Sequence, residues 1–234
     1  MKKERDEVSV ILLAAGAGRR MGGSIKKQFL EVHGRPLLYY PLHTFEQSEV
    51  SEIVLVVAEE DIVFVREQIV ERFGFGKVSK IVCGGAERFL SVYEGLKQVD
   101  NPWVLVHDGA RACVSAKIIA DAIAATKQYQ ACEVAVPSVD TVKLADEEGF
   151  VAHTPDRSLV WAIQTPQGFR TSLLKEAYET LIAGQRLFGL TDDAMVVERA
   201  FPDQKIKLVR GEYSNLKVTN QEDLAVVERV LAQY

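Results

Sequence analysis

The chain has 234 residues, a formal net charge of −5 at pH 7, and 47% hydrophobic and 26% charged residues. These proportions are ordinary for a globular protein, and the negative charge argues against broad binding to nucleic acid, which usually requires a basic face. No apolar run is long enough to span a bilayer, and the charged amino terminus lacks the cleavage pattern of a signal peptide. Cys83, Cys113 and Cys132 are odd in number and widely spaced, which favours reduced thiols over disulfides or a zinc site. We therefore expect a cytoplasmic protein that binds neither nucleic acid nor a membrane.

Strands and helices are predicted to alternate along the first 137 residues. Continuous β-branched and aliphatic runs predict strands that are covered on both faces, at residues 8–13, 52–58, 78–82, 103–107 and 131–136. Apolar residues three or four positions apart predict helices at residues 36–45, 61–73, 88–99 and 116–128, the last capped by Ser115. Such alternation predicts an α/β fold with a doubly wound, mostly parallel sheet of the Rossmann-like type.

The pattern changes after Pro137, where a β-hairpin is predicted to protrude as an arm. Residues 141–144 and 150–153 flank a turn-like acidic sequence that ends in Gly149. Because an isolated two-stranded hairpin is marginal in water, we expect it to pack against a second subunit. The remaining predicted elements are helices at 172–183, 192–200 (with Thr191 as a candidate cap) and 221–232 (capped by Asn220), and a strand at 206–209. No repeat or linker divides the chain, so we expect one domain, 1–234, with the arm at about 138–157.

Ligands of an open parallel sheet collect beyond the carboxyl ends of its strands. Three loops at such ends carry glycine or charged residues: 14–23, 84–91 and 108–111. The first is not a Walker loop, and it departs from the dinucleotide fingerprint because Met21 stands at the third glycine position. Its glycines would free backbone N–H groups for phosphate oxygens, and cations follow at once. The residues concerned are Gly16, Gly18, Arg19, Arg20, Lys26 and Lys27. A phosphate site is favoured here over a plain turn followed by a solvated basic stretch.

The other two loops allow weaker predictions. Gly84 and Gly85 would let the backbone approach a flat base, with Ser91 one turn into the next helix, although this loop taken alone is more typical of a simple helix entry. Asp108 could hold Mg²⁺ on a triphosphate, because hard cations take carboxylate oxygens. A helix cap, or an ion pair with Arg111, is the alternative. The four histidines show no metal-ligand spacing.

Eight motifs stand in order along the chain: LLAAGAGRRM (12–21), KQFL (27–30), GGAERFLSV (84–92), VLVHDGAR (104–111), VPSVDTVK (136–143), DRSLVWAIQTPQGF (156–169), TDDA (191–194) and NLKVTNQEDL (215–224). With these motifs the chain resembles, over essentially its whole length, the 2-C-methyl-D-erythritol 4-phosphate cytidylyltransferase family of the non-mevalonate isoprenoid pathway. The resemblance implies a nucleotidyltransferase fold and the transfer of CMP from CTP to methylerythritol phosphate, with Mg²⁺ and with release of pyrophosphate. The acceptor phosphate attacks the α-phosphorus in line, so catalysis rests on positioning and charge stabilisation.

The resemblance also assigns residues to roles. It implies that catalysis depends on Arg20, Lys27, Arg157 and Lys217. It implies that the nucleotide is bound by Ala14, Ala15, Gly16, Gly18, Gly85, Ser91 and Gly109. It implies that the metal is held by Asp108 and the acceptor by Arg111, Thr141, Arg157, Thr165 and Thr191. The arm would clasp a partner in a homodimer, so that Arg157 would serve the neighbouring site.

Three positions depart from the family pattern, namely Ala86, Leu90 and Cys113. Two other functions are compatible with the nucleotide loops. A cytidylyltransferase acting on ribitol 5-phosphate would share them, and only the acceptor region favours methylerythritol phosphate. A non-catalytic nucleotide-binding module is the second alternative, but three converging cations (Arg20, Lys27 and Lys217) argue against it, because binding alone has less need of them.

Overall fold

A seven-stranded sheet forms the centre of the protein in a computed structural model that describes residues 6–16 and 26–232. Its strands, in chain order, are β1 Val8–Leu13, β4 Glu52–Val57, β5 Val78–Cys83, β6 Trp103–Asp108, β7 Ala131–Pro137, β10 Trp161–Arg170 and β11 Lys207–Arg210. Two short hairpins lie outside it, β2 Glu31–Val32 with β3 Arg35–Pro36 and β8 Leu144–Ala145 with β9 Val151–His153. The spatial order of the sheet is β11-β7-β10-β6-β1-β4-β5. An α/β fold with a mostly parallel sheet is therefore confirmed.

Helices follow these strands along the chain. They are α1 Tyr39–Glu46, α2 Ile62–Val65, α3 Arg88–Leu96, α4 Ala116–Tyr129, α5 Thr171–Ala183, α6 Asp193–Ala200 and α7 Gln221–Leu231, and α2 continues into a π-helical turn at Arg66–Glu71. Ser115 caps α4 by accepting from the Ile118 backbone, as predicted. The helix predicted from residue 36 begins at Tyr39, because the preceding Arg35–Pro36 pairs with β2. Across residues 6–16 and 26–232, no helix is both long and apolar enough to cross a membrane.

The directions of the strands bring the three candidate site loops to one edge of the sheet. β1 pairs in parallel with β4 and β6, β4 with β5, and β7 with β11. Within the seven-stranded sheet, β10 alone runs antiparallel, between β6 and β7. The carboxyl ends of β1, β5 and β6 therefore reach one edge of the sheet, and the residues that follow them meet there.

Alternating residues of each strand enter two separate cores, because successive side chains point to opposite faces of the sheet. On one face, Val10 and Leu12 of β1 pack with α1, α2 and α4; on the other, Ile11 packs with α3, α5 and α6. A smaller cluster joins α7 to the β2–β3 hairpin and includes Val32, Leu37, Cys113 and Val227. Helices on both faces account for the uninterrupted aliphatic runs of the central strands.

The hairpin arm extends from the sheet edge after β7. Its base is closed by the Ser138 backbone N–H, which donates to Val160 O at 2.8 Å. Strands β8 and β9 are exposed along their whole length. The predicted hairpin is thus present, with its paired segments shorter than the sequence pattern indicated.

Candidate active site

A groove of about 300 Å³ opens at the carboxyl edge of the sheet. Ala14, Ala15 and Gly16 line one side of it, directly after β1. The Ala14 backbone N–H donates to Val56 O at 2.7 Å, and Ala14 O accepts from the Gln28 side-chain amide at 2.8 Å. These contacts fix the start of the loop, and within the described residues a Cβ at Gly16 would meet no atom within 4 Å.

The second glycine loop lines the opposite wall of the groove. The Ser91 hydroxyl donates to two backbone carbonyl oxygens of this loop, Glu87 O at 3.1 Å and Gly85 O at 3.3 Å. A Cβ on Gly85 would lie 2.4 Å from Cβ of Leu90, so the loop can turn back this tightly only with glycine at that position. Ala86, one of the departures from the family pattern, presents a methyl group to the groove. Contacts from this loop to a base would accordingly be made largely by its backbone.

Asp108 lies at the floor of the groove and binds two cations. Its Oδ1 is 3.1 Å from Nε of Arg88, and its Oδ2 is 2.7 Å from Nζ of Lys217. Burial alone would raise the pKa of Asp108, but the charges of Arg88 and Lys217 outweigh burial and hold that pKa well below its usual range. The carboxylate is therefore ionised at neutral pH.

Lys27 also faces the groove, and Lys26 does not line it. Lys27 begins the short helical turn Lys27–Phe29, and its Nζ donates to Val218 O at 3.1 Å. Nζ of Lys26 instead pairs with Glu60 at 2.6 Å and with Asp61 at 2.7 Å. The two lysines of the basic stretch, which was predicted to bind phosphate as one unit, therefore differ: Lys27 faces the groove, and Lys26 is held in ion pairs away from it.

A second cavity of about 290 Å³ lies on the other side of Asp108. It is lined by three residues assigned to the acceptor (Arg111, Thr165 and Thr191) and by Arg88, Asp108 and Lys217, which also line the groove. The guanidinium of Arg111 is held by two backbone carbonyls, Asn215 O at 2.8 Å and Ile163 O at 3.2 Å. The two cavities thus share one ionic floor.

His107 forms hydrogen bonds with two residues of this acceptor pocket. Its Nε2 lies 3.2 Å from Arg111 O, and its Nδ1 lies 3.0 Å from Oγ1 of Thr165, which accepts from the Asp108 backbone N–H at 3.1 Å. Because a carbonyl oxygen only accepts, we assign the proton to Nε2, so that Nδ1 accepts from the Thr165 hydroxyl. Burial lowers the pKa of His107 to about 4. The imidazole is therefore neutral and occupied, and it is not placed to act as a base toward a substrate.

Other predicted site residues lie elsewhere. Gly109 lines neither cavity; its N–H donates to Leu13 O at 2.8 Å, and a Cβ would lie 2.9 Å from that oxygen. Thr141 and Arg157 are exposed on the arm and line neither cavity of their own chain. Gly18 and Arg20 lie outside the described residues.

A buried polar network behind the acceptor pocket was not predicted from the sequence. Arg88 Nη2 binds Asp193 Oδ2 at 2.8 Å, and Asp193 Oδ1 accepts from the Tyr178 hydroxyl at 2.7 Å. Thr191 had been predicted as the cap of the following helix, but Asp192 caps α6 by accepting from the Met195 backbone. Two features of the sequence concern this network: the arginine after the second glycine loop, and the two consecutive acids after Thr191. Neither feature indicates that Arg88 and Asp193 are in contact.

Glu133 belongs to the same network and gives a pH-dependent prediction. Its carboxylate accepts from the Gln167 amide at 3.3 Å, and burial, followed by the charges of Asp192 and Glu198, raises its pKa to about 7. The folded state therefore binds this proton more tightly than the unfolded state, so the stability contribution falls as pH rises from about 4.5 to about 7. We expect Glu133→Gln to become more stable relative to wild type over that range, by up to about 3 kcal/mol.

Urea unfolding of both proteins at a series of pH values measures this difference. The comparison is needed because His107 acts in the opposite direction: its lowered pKa makes stability rise between about pH 4 and 6.5. Subtracting the free energy of unfolding of wild type from that of the variant at each pH removes the His107 contribution, because both proteins share it. A difference that stays constant from pH 4.5 to 7.5 would show that Glu133 titrates normally.

Comparison with known proteins identifies the family. The family model described as 2-C-methyl-D-erythritol 4-phosphate cytidylyltransferase (IspD) matches residues 8–233. A relative of that name from Lachnoclostridium phytofermentans is 44% identical over 232 residues, which are 98% of each chain. Another of that name, from Lachnospira eligens, is 46% identical over 220 residues, covering 93% of this chain and 96% of the relative.

Solved structures agree in fold. The crystal structure of 4-diphosphocytidyl-2C-methyl-D-erythritol synthase from Anaerococcus prevotii is 38% identical and superimposes with a TM-score of 0.86, covering 97% of this chain and 96% of that one. A 2-C-methyl-D-erythritol 4-phosphate cytidylyltransferase from Thermus thermophilus is 30% identical, with a TM-score of 0.74 over 96% and 98% of the two chains. The chain therefore belongs to the 2-C-methyl-D-erythritol 4-phosphate cytidylyltransferase family of nucleotidyltransferase enzymes.

Proposed function

We propose that CTP binds in the groove and 2-C-methyl-D-erythritol 4-phosphate in the adjoining pocket, and that CMP is transferred between them with release of pyrophosphate. The observation that supports this proposal most is the shared ionic floor of the two cavities, formed by Arg88, Asp108 and Lys217. Two substrates bound on either side of this floor would bring the acceptor phosphate next to the α-phosphate of CTP. Holding both reactants in one geometry is itself a large part of the rate enhancement.

The reaction does not require a nucleophile from the protein. An oxygen of the acceptor phosphate forms a bond to the α-phosphorus while the bond from that phosphorus to the oxygen of the leaving pyrophosphate breaks. Negative charge grows on the leaving group, where Lys27 and Lys217 would stabilise it; by resemblance, Arg20 would do the same. Backbone N–H groups of Ala15 and Gly16 would orient the nucleotide.

We also propose that Asp108 holds Mg²⁺ together with the phosphates of CTP. An ionised carboxylate that faces both cavities fits this ion, which commonly takes one or two carboxylates and completes its coordination with substrate phosphates and water. Among the described residues no group of three or more acidic, histidine or cysteine side chains could hold a metal, so any such ion would depend on the nucleotide. When bound, the ion would neutralise phosphate charge.

Pyrophosphate release tests the proposed reaction. CTP is supplied with methylerythritol phosphate, with ribitol 5-phosphate, or with no acceptor, in the presence of Mg²⁺. We expect turnover with methylerythritol phosphate at least about a hundredfold faster than with the other two mixtures. Turnover with ribitol 5-phosphate alone would overturn the acceptor assignment. Binding of CTP without turnover in any mixture would favour the non-catalytic module.

We propose further that the arm joins two copies of the chain and brings Arg157 to the partner's site. Large apolar side chains of the arm are exposed, including Val139 at 65%, Phe150 at 67% and Leu159 at 79%. Such a concentration of apolar surface is typical of an interface. The exposed position of Arg157 on the same arm, away from both cavities of its own chain, supports a role in the second subunit.

A mixed dimer tests the arm's role. Chains with Arg157→Ala and with Lys27→Ala are co-expressed with different affinity tags, and the heterodimer is purified. If Arg157 acts across the interface, one site contains both Lys27 and Arg157 and the other contains neither, so we expect about half the wild-type activity. Each homodimer should remain nearly inactive. A heterodimer as inactive as its parents, or a wild-type monomer at micromolar concentration by light scattering, would overturn this proposal.

A further inference from the structure

We infer that Asp193, through Arg88, is a positioning residue that fixes the acceptor pocket relative to the nucleotide groove without touching either substrate. The inference rests on the proposed reaction. Asp193 is completely buried and lines neither cavity, whereas Arg88 lines both. Asp193 can therefore influence the reaction only through the residues that it holds.

Arg88 connects two carboxylates on opposite sides of the junction. Its Nε is 3.1 Å from Asp108 Oδ1 at the end of β6, and its Nη2 is 2.8 Å from Asp193 Oδ2 at the start of α6. The guanidinium is planar and rigid, so two hydrogen bonds from different nitrogens set the separation and orientation of both carboxylates. One side chain therefore links the floor of the groove to the first turn of α6.

The first turn of α6 is held from other directions as well. Asp193 Oδ1 accepts from the Tyr178 hydroxyl at 2.7 Å. The backbone N–H groups of Asp193 and Ala194 both donate to Oε1 of Gln167, at 3.0 and 3.1 Å. Thr191 and Asp192, which line the acceptor pocket, immediately precede this turn. The acceptor wall and the nucleotide floor therefore meet through the Arg88–Asp193 bridge.

A purely structural ion pair is the simpler explanation, and the position of the bridge argues against it. Burying two charges costs desolvation that their attraction often fails to recover, so well-packed apolar residues would hold the start of α3 against the start of α6 equally well. A charged bridge is more useful where geometry must be kept between two ligand sites. A displacement of about 1 Å between reacting groups can cost roughly a hundredfold in rate.

The diagnostic variants are Asp193→Asn, which keeps the shape but removes the charge, and Arg88→Lys, which cannot span both carboxylates. We expect each to lower kcat by about 10- to 100-fold and to raise KM for the acceptor, while calorimetry shows CTP affinity within about threefold of wild type. The double variant should be no slower than the worse single variant by more than about threefold, because both changes break one bridge.

Two controls separate positioning from loss of stability. Tyr178→Phe removes a hydrogen bond to Asp193 but leaves the Arg88 bridge, and Ile119→Val trims the core on the far face of the sheet. Both should lower the melting temperature and keep kcat within about threefold of wild type. If Asp193→Asn does no more than these controls, or if the effects of Asp193→Asn and Arg88→Lys multiply, the inference is wrong.

Failure of the inference is distinguishable from failure of the proposed function. A wild-type chain that shows no turnover with any acceptor would contradict the proposed reaction itself. An active wild type with an unaffected Asp193→Asn variant would contradict only the bridge. If Asp193→Asn does not fold, Arg88→Lys, assayed well below its melting temperature, decides the question: its kcat should fall by about tenfold or more while CTP affinity stays within about threefold of wild type, and an unchanged kcat would overturn the inference.

Discussion

Replacing Lys27 with alanine is expected to lower kcat by about two to three orders of magnitude without unfolding the protein. The Lys27 ammonium lies at the groove beside Val218 O, where negative charge would grow on the leaving pyrophosphate. A fixed cation in such a place stabilises the transition state more than the bound substrate, so the loss should appear in kcat. Binding of CTP should weaken by a smaller factor.

Lys26 provides the matched control for this prediction. It is the adjacent lysine, but its ammonium is paired with Glu60 and Asp61 and does not line the groove. Lys26→Ala should therefore keep kcat within about threefold of wild type, because the charge that it removes is neutralised by two carboxylates away from the groove. Steady-state pyrophosphate release and thermal melting of both variants make the comparison. Equal losses in the two variants, or near-normal activity in Lys27→Ala, would remove Lys27 from the catalytic set.

Sequence physics alone predicts the nucleotide side of this fold well. Aliphatic runs such as Val8–Leu13 and Glu52–Val57 indicate buried strands, because side chains on both faces must be apolar in a doubly covered sheet. The rule that ligands lie beyond carboxyl strand ends then selects the loops at Gly16, Gly85 and Asp108. The structure places all three loops at one edge of the sheet, and Gly16, Gly85 and Asp108 line the same groove.

The central antiparallel strand β10 was missed for a physical reason. Its sequence interrupts the apolar residues with Gln164, Thr165 and Gln167, and it contains Pro166 and Gly168, two residue types that strands disfavour. The fold requires Gly168, because a Cβ there would lie 1.8 Å from Oγ1 of Thr126 on α4. This requirement depends on a helix distant in the sequence and leaves no local pattern.

The acceptor pocket was predictable only by resemblance. Arg88 and Asp193, which meet at its edge, are 105 positions apart, and each has an ordinary local interpretation as a helix-start residue. No spacing rule brings such residues together, because their contact depends on the order of strands in the sheet. The resemblance supplied Arg111, Thr165 and Thr191, but it did not supply the network that holds them.

Replacing Asp108 with asparagine should have the largest effect, a loss of roughly a thousandfold in kcat. The variant removes the charge that holds Lys217 at 2.7 Å and the oxygen proposed to bind Mg²⁺, at the point where both cavities meet. Asp61→Asn is the matched control, because Asp61 is also a buried carboxylate paired with a lysine but does not line the groove. The control should lose some stability and little activity; similar kinetic losses in both would show that the effect is not specific to the site.

The same substitution should also change the dependence of stability on pH. Arg88 and Lys217 hold the pKa of Asp108 well below its usual range despite burial, so the folded state binds this proton less tightly than the unfolded state does. The stabilisation is therefore complete above the unfolded pKa of about 3.9 and is lost as pH falls below it. Between pH 5 and 9, the free energy of unfolding of wild type should exceed that of Asp108→Asn by a constant amount of up to about 3 kcal/mol. The loss is limited because, in the variant, Lys217 can turn toward solvent and Arg88 keeps its ion pair with Asp193. Below about pH 4 the urea-unfolding curves should converge. A difference that grows with acidity would mean that Asp108 is protonated in the folded protein, and a protonated carboxyl could not anchor the lysine or the metal on which the proposed mechanism depends.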